Sequence, residues 1–513
     1  MGNQLQVSAK EAALQDIAKE SWYEEPLTVF IFGASGDLAK KKTYPALLDL
    51  WMDGLLPPQT VICGYARSEK KDADFKKQIM PYLLKKVDKK AAKDFLKICV
   101  YRSGQYSDAA ALKKHSEEMT KKFHKNPSVE NRVFYFALPP NAFIDTAASV
   151  KAGGMSPNGF NRLIVEKPFG HDLESAEKMG ADLGAIFDES YLYRIDHYLG
   201  KEMVQNMMIL RFGNSWLEPI WNRNFVKAVV ISFKEDIGTM GRGGYFDKSG
   251  IIRDIMQNHL MQVLSVIAME PPERISGPDY SNLVRDKKVA LLKCIEPWSM
   301  ANSVIGQYVS NGSEPGYLED PTVPKGSNCP TFACTVMKIN NDRWQGVPFI
   351  MKAGKALNQR RAEVRVQLKS PPNGAAVFNL ESEEQIPYNE IVLRLQPEEA
   401  IYVKTNVKRP GLATELIQSE LDLSYSSRYK DEKNPDAYTR LILDVLRGKQ
   451  ATFVRQDELV EAWKIATPLL KEVEESKVKP TDYVFGTRGP KEADVLIQKA
   501  GFVVDKNYKW NKA

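Results

Sequence analysis

The chain has 513 residues, 43% of them hydrophobic and 27% charged, which is ample for a large core and too long for one ordinary compact domain, so two domains are expected. Its 71 basic and 65 acidic residues leave a net charge of +6 spread along the sequence. That pattern excludes the basic stripe of a nucleic-acid binder and suits small anionic ligands better.

Cys63, Cys99, Cys294, Cys329 and Cys334 show neither CxxC pairing nor metal-ligand spacing, so reduced, mostly core-packed thiols and no metal site are expected. Residues 1–26 form a polar leader, read as flexible. The first twenty residues have neither the apolar stretch of a signal peptide nor the acid-poor bias of a transit peptide. Gln6 stands where a myristoylation pattern wants Ser or Thr. No run of roughly eighteen apolar residues would span a membrane, and a cytoplasmic protein is expected.

Thr28 to Phe32 is a short apolar run rich in strand formers, followed at once by Gly33. Leu38, Tyr44, Leu47, Leu48 and Trp51 then recur at helical spacing until Gly54 and Pro57-Pro58 end the pattern. Further strands are expected at Val61 to Tyr65, Arg132 to Leu138 and Arg162 to Val165, separated by Lys-rich amphipathic helices such as Ala109 to Phe123. This alternation predicts a doubly wound parallel sheet of the Rossmann type over residues 27–195.

From about Val226 the period changes. Val364, Val366 and Leu368 alternate with polar neighbours, as do Ile391, Leu393 and Leu395, which predicts strands of an antiparallel sheet with one wet face. The fold class is therefore α/β plus α+β, with residues 196–513 forming a larger, mostly antiparallel domain. Ser310 to Pro330 reads as a long surface loop.

Gly33-x-x-Gly36-x-x-Ala39 supplies glycines where backbone approaches a pyrophosphate, directly before a helix N-terminus. Alone, it reads equally as a strand-to-helix turn without a ligand. Arg67, just past the second strand, stands where an NAD-preferring fold places an acid on the ribose hydroxyls, which favours NADP. Lys40, Lys41 and Lys42 could reinforce phosphate contacts or form a solvated face.

Glu166-Lys167-Pro168 ends a strand and delivers Lys167 to the sheet edge where ligands bind; a surface lysine before a turn reads almost as well. Asp196, His197, Tyr198 and Lys201 crowd an acid, an imidazole, a phenol and an ammonium into one short span, with donors for a phosphate. His259 shares a helical stripe with Ile252, Ile255 and Met256 that should face inward. A lone histidine there is more often a core residue. The need for a general base, with a nearby carboxylate to orient it, favours the functional reading.

The segments Gly33-Ala-Ser-Gly-Asp-Leu-Ala-Lys-Lys-Lys42, Glu166-Lys-Pro-Phe-Gly170, Arg194-Ile-Asp-His-Tyr-Leu-Gly-Lys-Glu202, Gly250 to His259 and Gly354-Lys-Ala-Leu-Asn358 together resemble the glucose-6-phosphate dehydrogenase family, from about residue 27 to the C-terminus. Glu-Lys-Pro is less specific, being shared with glucose-fructose oxidoreductase-type enzymes. The resemblance implies NADP-dependent oxidation of the C1 hydroxyl of glucose 6-phosphate to the lactone, the first step of the oxidative pentose phosphate pathway. It implies His259 as base, Asp196 as its dyad carboxylate and Lys167 touching substrate and cofactor. His197, Tyr198, Lys201, Lys355 and Arg360 would hold the phosphate, and Glu235 and Asp254 the sugar hydroxyls. Gly33, Ser35, Gly36, Asp37, Leu38, Lys42 and Arg67 would bind the dinucleotide.

Some eukaryotic members carry a second, structural NADP, and Arg361, Arg365, Arg394, Gln396, Tyr402, Lys404, Arg488 and Trp510 occupy the matching positions. Read from the strands alone, Arg365, Arg394 and Lys404 make either an anion-binding face or a wet sheet salt-bridged to Glu363 and Glu390. Val503-Val504 departs from the polar or aromatic contact of some members. The family assembles as dimers and tetramers through its antiparallel-sheet domain, so a homodimer or homotetramer is implied. A sugar oxidoreductase acting on unphosphorylated substrate, or a non-catalytic NADP sensor, would have less use for the phosphate cluster or the dyad.

Overall fold

The computed structural model describes residues 9–125, 127–412, 414–432 and 434–504. Six strands, β1 (Leu27–Phe32), β2 (Thr60–Ala66), β3 (Cys99–Ser103), β4 (Asn131–Phe136), β5 (Asn161–Glu166) and β6 (Leu192–Ile195), form a sheet ordered β3-β2-β1-β4-β5-β6. Every pairing is parallel. Strands covered by helices on both faces must be apolar on both, which is why they appear in the sequence as continuous runs rather than alternations. Phe30 and Phe32 enter one core, Val29 and Ile31 the other. The order reverses between β1 and β4, where this fold opens a crevice at the strands' carboxyl ends.

The second sheet contains β7 (Val226–Lys234), β8 (Ser303–Val309), β9 (Phe332–Met337), β10 (Phe349–Gly354), β11 (Arg361–Leu368), β12 (Glu390–Gln396), β13 (Ala400–Lys408), β14 (Leu416–Ser424) and β15 (Thr481–Val484). Its order is β14-β13-β12-β11-β7-β10-β9-β8-β15, antiparallel except where β10 joins β7 and β15 joins β8. Val364, Val366, Ile391 and Leu393 are buried, as the alternation predicts.

The expected wet face is not wet. Glu363, Gln367, Glu390, Arg394 and Lys404 are all buried. Arg365 pairs with both Glu363 and Glu390, and Lys404 lies 3.4 Å from Glu390. At Gln367 the chain near Val503 adds to the cover: Gln367 Nε2 donates to the Val503 carbonyl at 2.9 Å, and the Val503 N–H donates back to its Oε1 at 3.0 Å. Charge patterning revealed the face but not the segment that covers it.

One more expectation is corrected. Residues 9–26 of the leader are not loose: helix Ala9–Ile17 and the turn Ser21–Tyr23 bury Ile17 and Trp22, and Glu20 pairs with Arg447. Two apolar side chains in a polar stretch suffice to dock it. The Ser310–Pro330 stretch is a mostly exposed loop, as expected, pinned by Tyr317, which is buried with its hydroxyl donating to Asp247, and by Asp320, which accepts from Thr239 and Gly243. Cys63, Cys99 and Cys334 are buried, Cys294 and Cys329 half-buried, and all five are free. Burial pushes the Cys63, Cys329 and Cys334 thiols up to about 12. Among the described residues no helix is long and apolar enough to cross a membrane.

One fully buried ion pair ties three helices together. Lys288, on helix Tyr280–Leu292, lies 2.7 Å from Glu458 on helix Gln456–Glu475, and donates to Gln262 on helix Met261–Ala268 at 2.6 Å. Removing one partner strands a charge in a dry interior. Glu458→Ala should therefore destabilise by about 3–5 kcal/mol, whereas Lys288→Met combined with Glu458→Leu should recover most of that loss. Thermal and denaturant unfolding of the three variants checks this, and an undiminished midpoint in Glu458→Ala contradicts it.

Candidate active site

The register of β5 on β6 pairs Glu166 with Ile195, so the next residues, Lys167 and Asp196, leave the sheet side by side at its carboxyl edge. The Lys167–Pro168 peptide is cis. Beyond Asp196 the chain turns tightly, with N–H groups of Leu199, Gly200 and Lys201 donating back to Asp196, His197 and Tyr198, before helix Glu202–Gly213 begins.

His259 arrives from the other domain on Ile252–Leu260, a segment wound as a π-helix. Helical spacing in the sequence predicts its inward stripe, and Ile252, Ile255, Met256 and His259 are indeed buried. The wider winding has no sequence signature, yet such turns concentrate at functional sites.

These elements converge on one contact set. His259 Nδ1 lies 2.6 Å from Asp196 Oδ1, which also accepts from the Tyr198 N–H at 2.9 Å. Lys167 Nζ is 3.1 Å from His259 Nε2 and donates to the Asp254 carbonyl at 2.9 Å. The Tyr198 ring stacks on His259 at 4.7 Å, and the His197 ring meets His259 edge-on at 4.4 Å.

Electrostatics fix the protons. Burial pushes the Asp196 carboxyl up, but the His259 charge and hydrogen bond outweigh it and hold the group at about 2. Burial lowers His259 below its ordinary 6.5 against the opposing pull of Asp196, and it lowers His197 far more. An ionised Asp196 can only accept and an ammonium can only donate, so Nδ1 carries the hydrogen and Nε2 presents a lone pair. Asp196, His197 and His259 hold potential metal-ligand atoms within 4.8 Å of one another. With Nδ1 committed and Nε2 facing an ammonium, the cluster is furnished to take a proton.

The other substrate candidates gather because three strands of the second sheet end together. Arg361 on β11 and Gly354 on β10 both pair with Lys234 on β7, which brings Glu235, Lys355 and Arg360 to one edge. Lys355 forms an ion pair with Glu235. Lys201 Nζ donates to Gln396 Oε1 at 2.6 Å and lies over the Tyr198 ring. Arg360 is exposed, and its charge reaches both Tyr198 and Lys201. The Tyr198 hydroxyl is buried without a hydrogen-bond partner among the described residues.

At the crevice of the parallel sheet, Gly33 has φ +78°, and a Cβ there would lie 2.2 Å from the Ala137 carbonyl oxygen, so only glycine fits. Gly36 N–H donates to Gly33 O at 2.8 Å, and Ser35 O accepts from Gln78. Leu38 leads directly into Ala39–Thr43, which is π-wound like the His259 segment. Lys40 and Lys41 pair with Asp37, lowering its carboxyl, and Lys42 lies 3.8 Å from Asp436. Arg67 is exposed at the end of β2, 5.7 Å from the Tyr106 ring centroid.

On the second sheet Arg361, Arg365, Arg394, Tyr402 and Lys404 adjoin one another on β11, β12 and β13, Arg488 pairs with Asp494, and Trp510 lies outside the described residues. Gln396 faces the substrate candidates through Lys201 instead. Motif reading misses Lys234 and Lys352 beside this cluster: burial and the neighbouring Lys352 lower Lys234 to about 7. Neither lysine has a spacing signal. Glu166, which opens the Glu-Lys-Pro motif, is raised by burial to about 7 and hydrogen-bonded to Tyr135.

The sequence matches the family profile "Glucose-6-phosphate dehydrogenase, NAD binding domain" over residues 30–206 and "Glucose-6-phosphate dehydrogenase, C-terminal domain" over residues 208–511. It is 51% identical to a glucose-6-phosphate 1-dehydrogenase of Dictyostelium discoideum, covering 94% of this chain and 96% of that one. It is 48% identical to glucose-6-phosphate 1-dehydrogenase 5, cytoplasmic, of Arabidopsis thaliana, covering 94% and 93%. A solved glucose-6-phosphate dehydrogenase in complex with its substrate glucose-6-phosphate superposes with a TM-score of 0.88 at 45% identity, covering 94% of this chain and 99% of that one.

The proton assignment is testable by NMR on protein carrying carbon-13-labelled histidine. His259 should titrate below 6.5. Asp196 is the group that pulls it upward, so Asp196→Asn should move the titration lower still. An upward move would overturn the assignment.

Proposed function

The chain belongs to the glucose-6-phosphate dehydrogenase family and is an oxidoreductase of glucose 6-phosphate; from that premise we propose that His259 is the general base, oriented by Asp196, and that NADP is the acceptor. The observation that carries this reading is the His259 Nδ1 to Asp196 contact at 2.6 Å with Nε2 turned toward Lys167. The C1 hydroxyl gives its proton to Nε2 while the C1 hydrogen departs with its electron pair, and the remaining C1–O bond becomes the lactone carbonyl. Bound nicotinamide supplies the acceptor for that hydride. Taking the proton as hydride leaves avoids an oxocarbenium-like charge, and Asp196 stabilises the imidazolium that forms.

Lys167 joins the two sites, since it reaches His259 and Asp254 from the parallel sheet. Lys201, Lys355, Arg360, His197 and the unpartnered Tyr198 hydroxyl are the donors for the substrate phosphate. Binding that remote end positions C1, an orientation effect that lowers the barrier without touching the reacting atoms. Glu235 and Asp254 take sugar hydroxyls. An enzyme for unphosphorylated sugar would not need this cluster.

Gly33, Ser35, Gly36, Asp37, Leu38 and Lys42 hold the dinucleotide, and the bare backbone at Gly33 fits a pyrophosphate. Arg67 favours NADP because its exposed guanidinium suits a 2′-phosphate. A second, structural NADP is supported by the crowd of cations at Lys234, Lys352, Arg361, Arg365 and Lys404, and by the buried Arg361 Nε, which has no hydrogen-bond partner among the described residues. Residues 27–195 make the dinucleotide domain and 196–513 the substrate and assembly domain. Exposed Val407 and Leu421 on the edge pair β13 and β14 support a homodimer or homotetramer through this sheet. The relatives named cytoplasmic support a cytoplasmic location.

Nicotinamide reduction, followed with glucose 6-phosphate or glucose and with NADP or NAD, tests the assignment. Turnover should require the phosphate ester. His259→Asn should lower kcat by roughly 10²–10⁴-fold; a variant as fast as the parent removes His259 as base. Arg67→Asp should shift the preference from NADP toward NAD, and an unaltered ratio would remove Arg67 from the cofactor site.

A further inference from the structure

We propose that Tyr438 is a positioning residue for the substrate phosphate, acting by holding the His197 ring. This deepens the functional reading above and rests on His197 being a phosphate donor. Tyr438 comes from helix Ala437–Leu446, far along the chain from either motif it touches.

That helix starts where the two sites meet. Asp436 caps it, accepting from the Tyr438 N–H at 3.0 Å, and faces Lys42 at 3.8 Å. Gly200, in the turn that carries His197, lacks a side chain because the Ala437 carbonyl would lie 2.6 Å from its Cβ. Arg440 pairs with Glu202 on the far side of the turn, and Thr439 donates to Asp49 at 3.1 Å on the helix behind the cofactor loop. The first turn of this helix is thus clamped on both sites.

Tyr438 is buried, and its ring lies 6.0 Å from the His197 ring at only 12°. On the other side Lys42 Nζ is 5.8 Å from its centroid. The Tyr438 hydroxyl is within hydrogen-bonding reach of Glu166, which Tyr135 also engages. The phenol ring lies nearly parallel to the His197 imidazole, so its face sets the plane of His197. His197 has only two torsions to fix, and His259 and Tyr198 constrain it from other directions. Without the Tyr438 face the imidazole can rotate away from the phosphate before substrate arrives, which weakens binding and leaves proton removal at His259 intact.

Steady-state kinetics on Tyr438→Leu, Tyr438→Phe, His197→Ala and the His197→Ala/Tyr438→Leu pair test this. Tyr438→Leu should raise KM for glucose 6-phosphate about tenfold with kcat and KM for the dinucleotide changed less than about threefold. Tyr438→Phe keeps the stacking face and should return KM to within about threefold of the parent. The pair should be no worse than His197→Ala alone, since both act through one ring. Tyr438→Met keeps bulk without the ring and should behave as Tyr438→Leu, serving the same comparison if the leucine variant does not fold. A raised KM in His197→Ala with an unchanged KM in the tyrosine variants, or additive effects in the pair, overturns the positioning role. An unchanged KM in His197→Ala overturns the phosphate reading and this proposal with it.

Discussion

The buried contact between Asp196 and His259 joins the parallel sheet to the π-wound segment of the second half of the molecule. Asp196 is fixed by the end of β6 in a parallel sheet, and His259 by a π-wound segment packed on an antiparallel one. Both are buried. A carboxylate taken out of water is tolerable only if its lone pairs are satisfied, and here an imidazole and a backbone N–H do so. The arrangement that stabilises the buried acid is also the one that leaves Nε2 as an acceptor. Moving either sheet by an ångström would break both.

Lys167 gives that contact its direction. It emerges one residue beyond β5, beside Asp196, because the β5–β6 register puts them there. Its ammonium then lies between the sheet crevice, where glycines leave bare backbone, and the His259 ring. A side chain placed at the edge of a rigid strand is held more precisely than one on a loop. The same logic governs the second sheet, where the ends of β7, β10 and the start of β11 gather Glu235, Lys355 and Arg360.

Much of this is legible in the sequence, for definite reasons. Parallel strands buried on both faces declare themselves as apolar runs, so β1, β2, β4 and β5 are predicted within a residue or two at most ends. Chemistry that needs several polar groups close together leaves dense motifs, and the run from Arg194 to Glu202 is one. What stays hidden depends on long-range contacts. Nothing in the local pattern says that Val503 closes over Gln367, that Ile17 and Trp22 dock the leader, or that Tyr438 lies against His197. The π-winding of Ile252–Leu260 is equally silent, since an α-helix would give the same inward stripe.

The charged face of the second sheet shows why burial matters more than sign. Arg365, Glu363, Glu390 and Lys404 would be an ordinary solvated ladder if exposed, worth little. Buried as they are, each charge must be matched. Glu363 and Glu390 match Arg365 and Lys404 and Arg361 lies 3.8 Å from Glu363, but Lys234 is pushed down to about 7 by burial and by Lys352, and Arg361 Nε has no hydrogen-bond partner among the described residues. Among the described residues, cations crowd this face. A polyanion seated on this face would relieve both defects at once, raising the Lys234 ammonium back toward its ordinary range and giving Arg361 an acceptor.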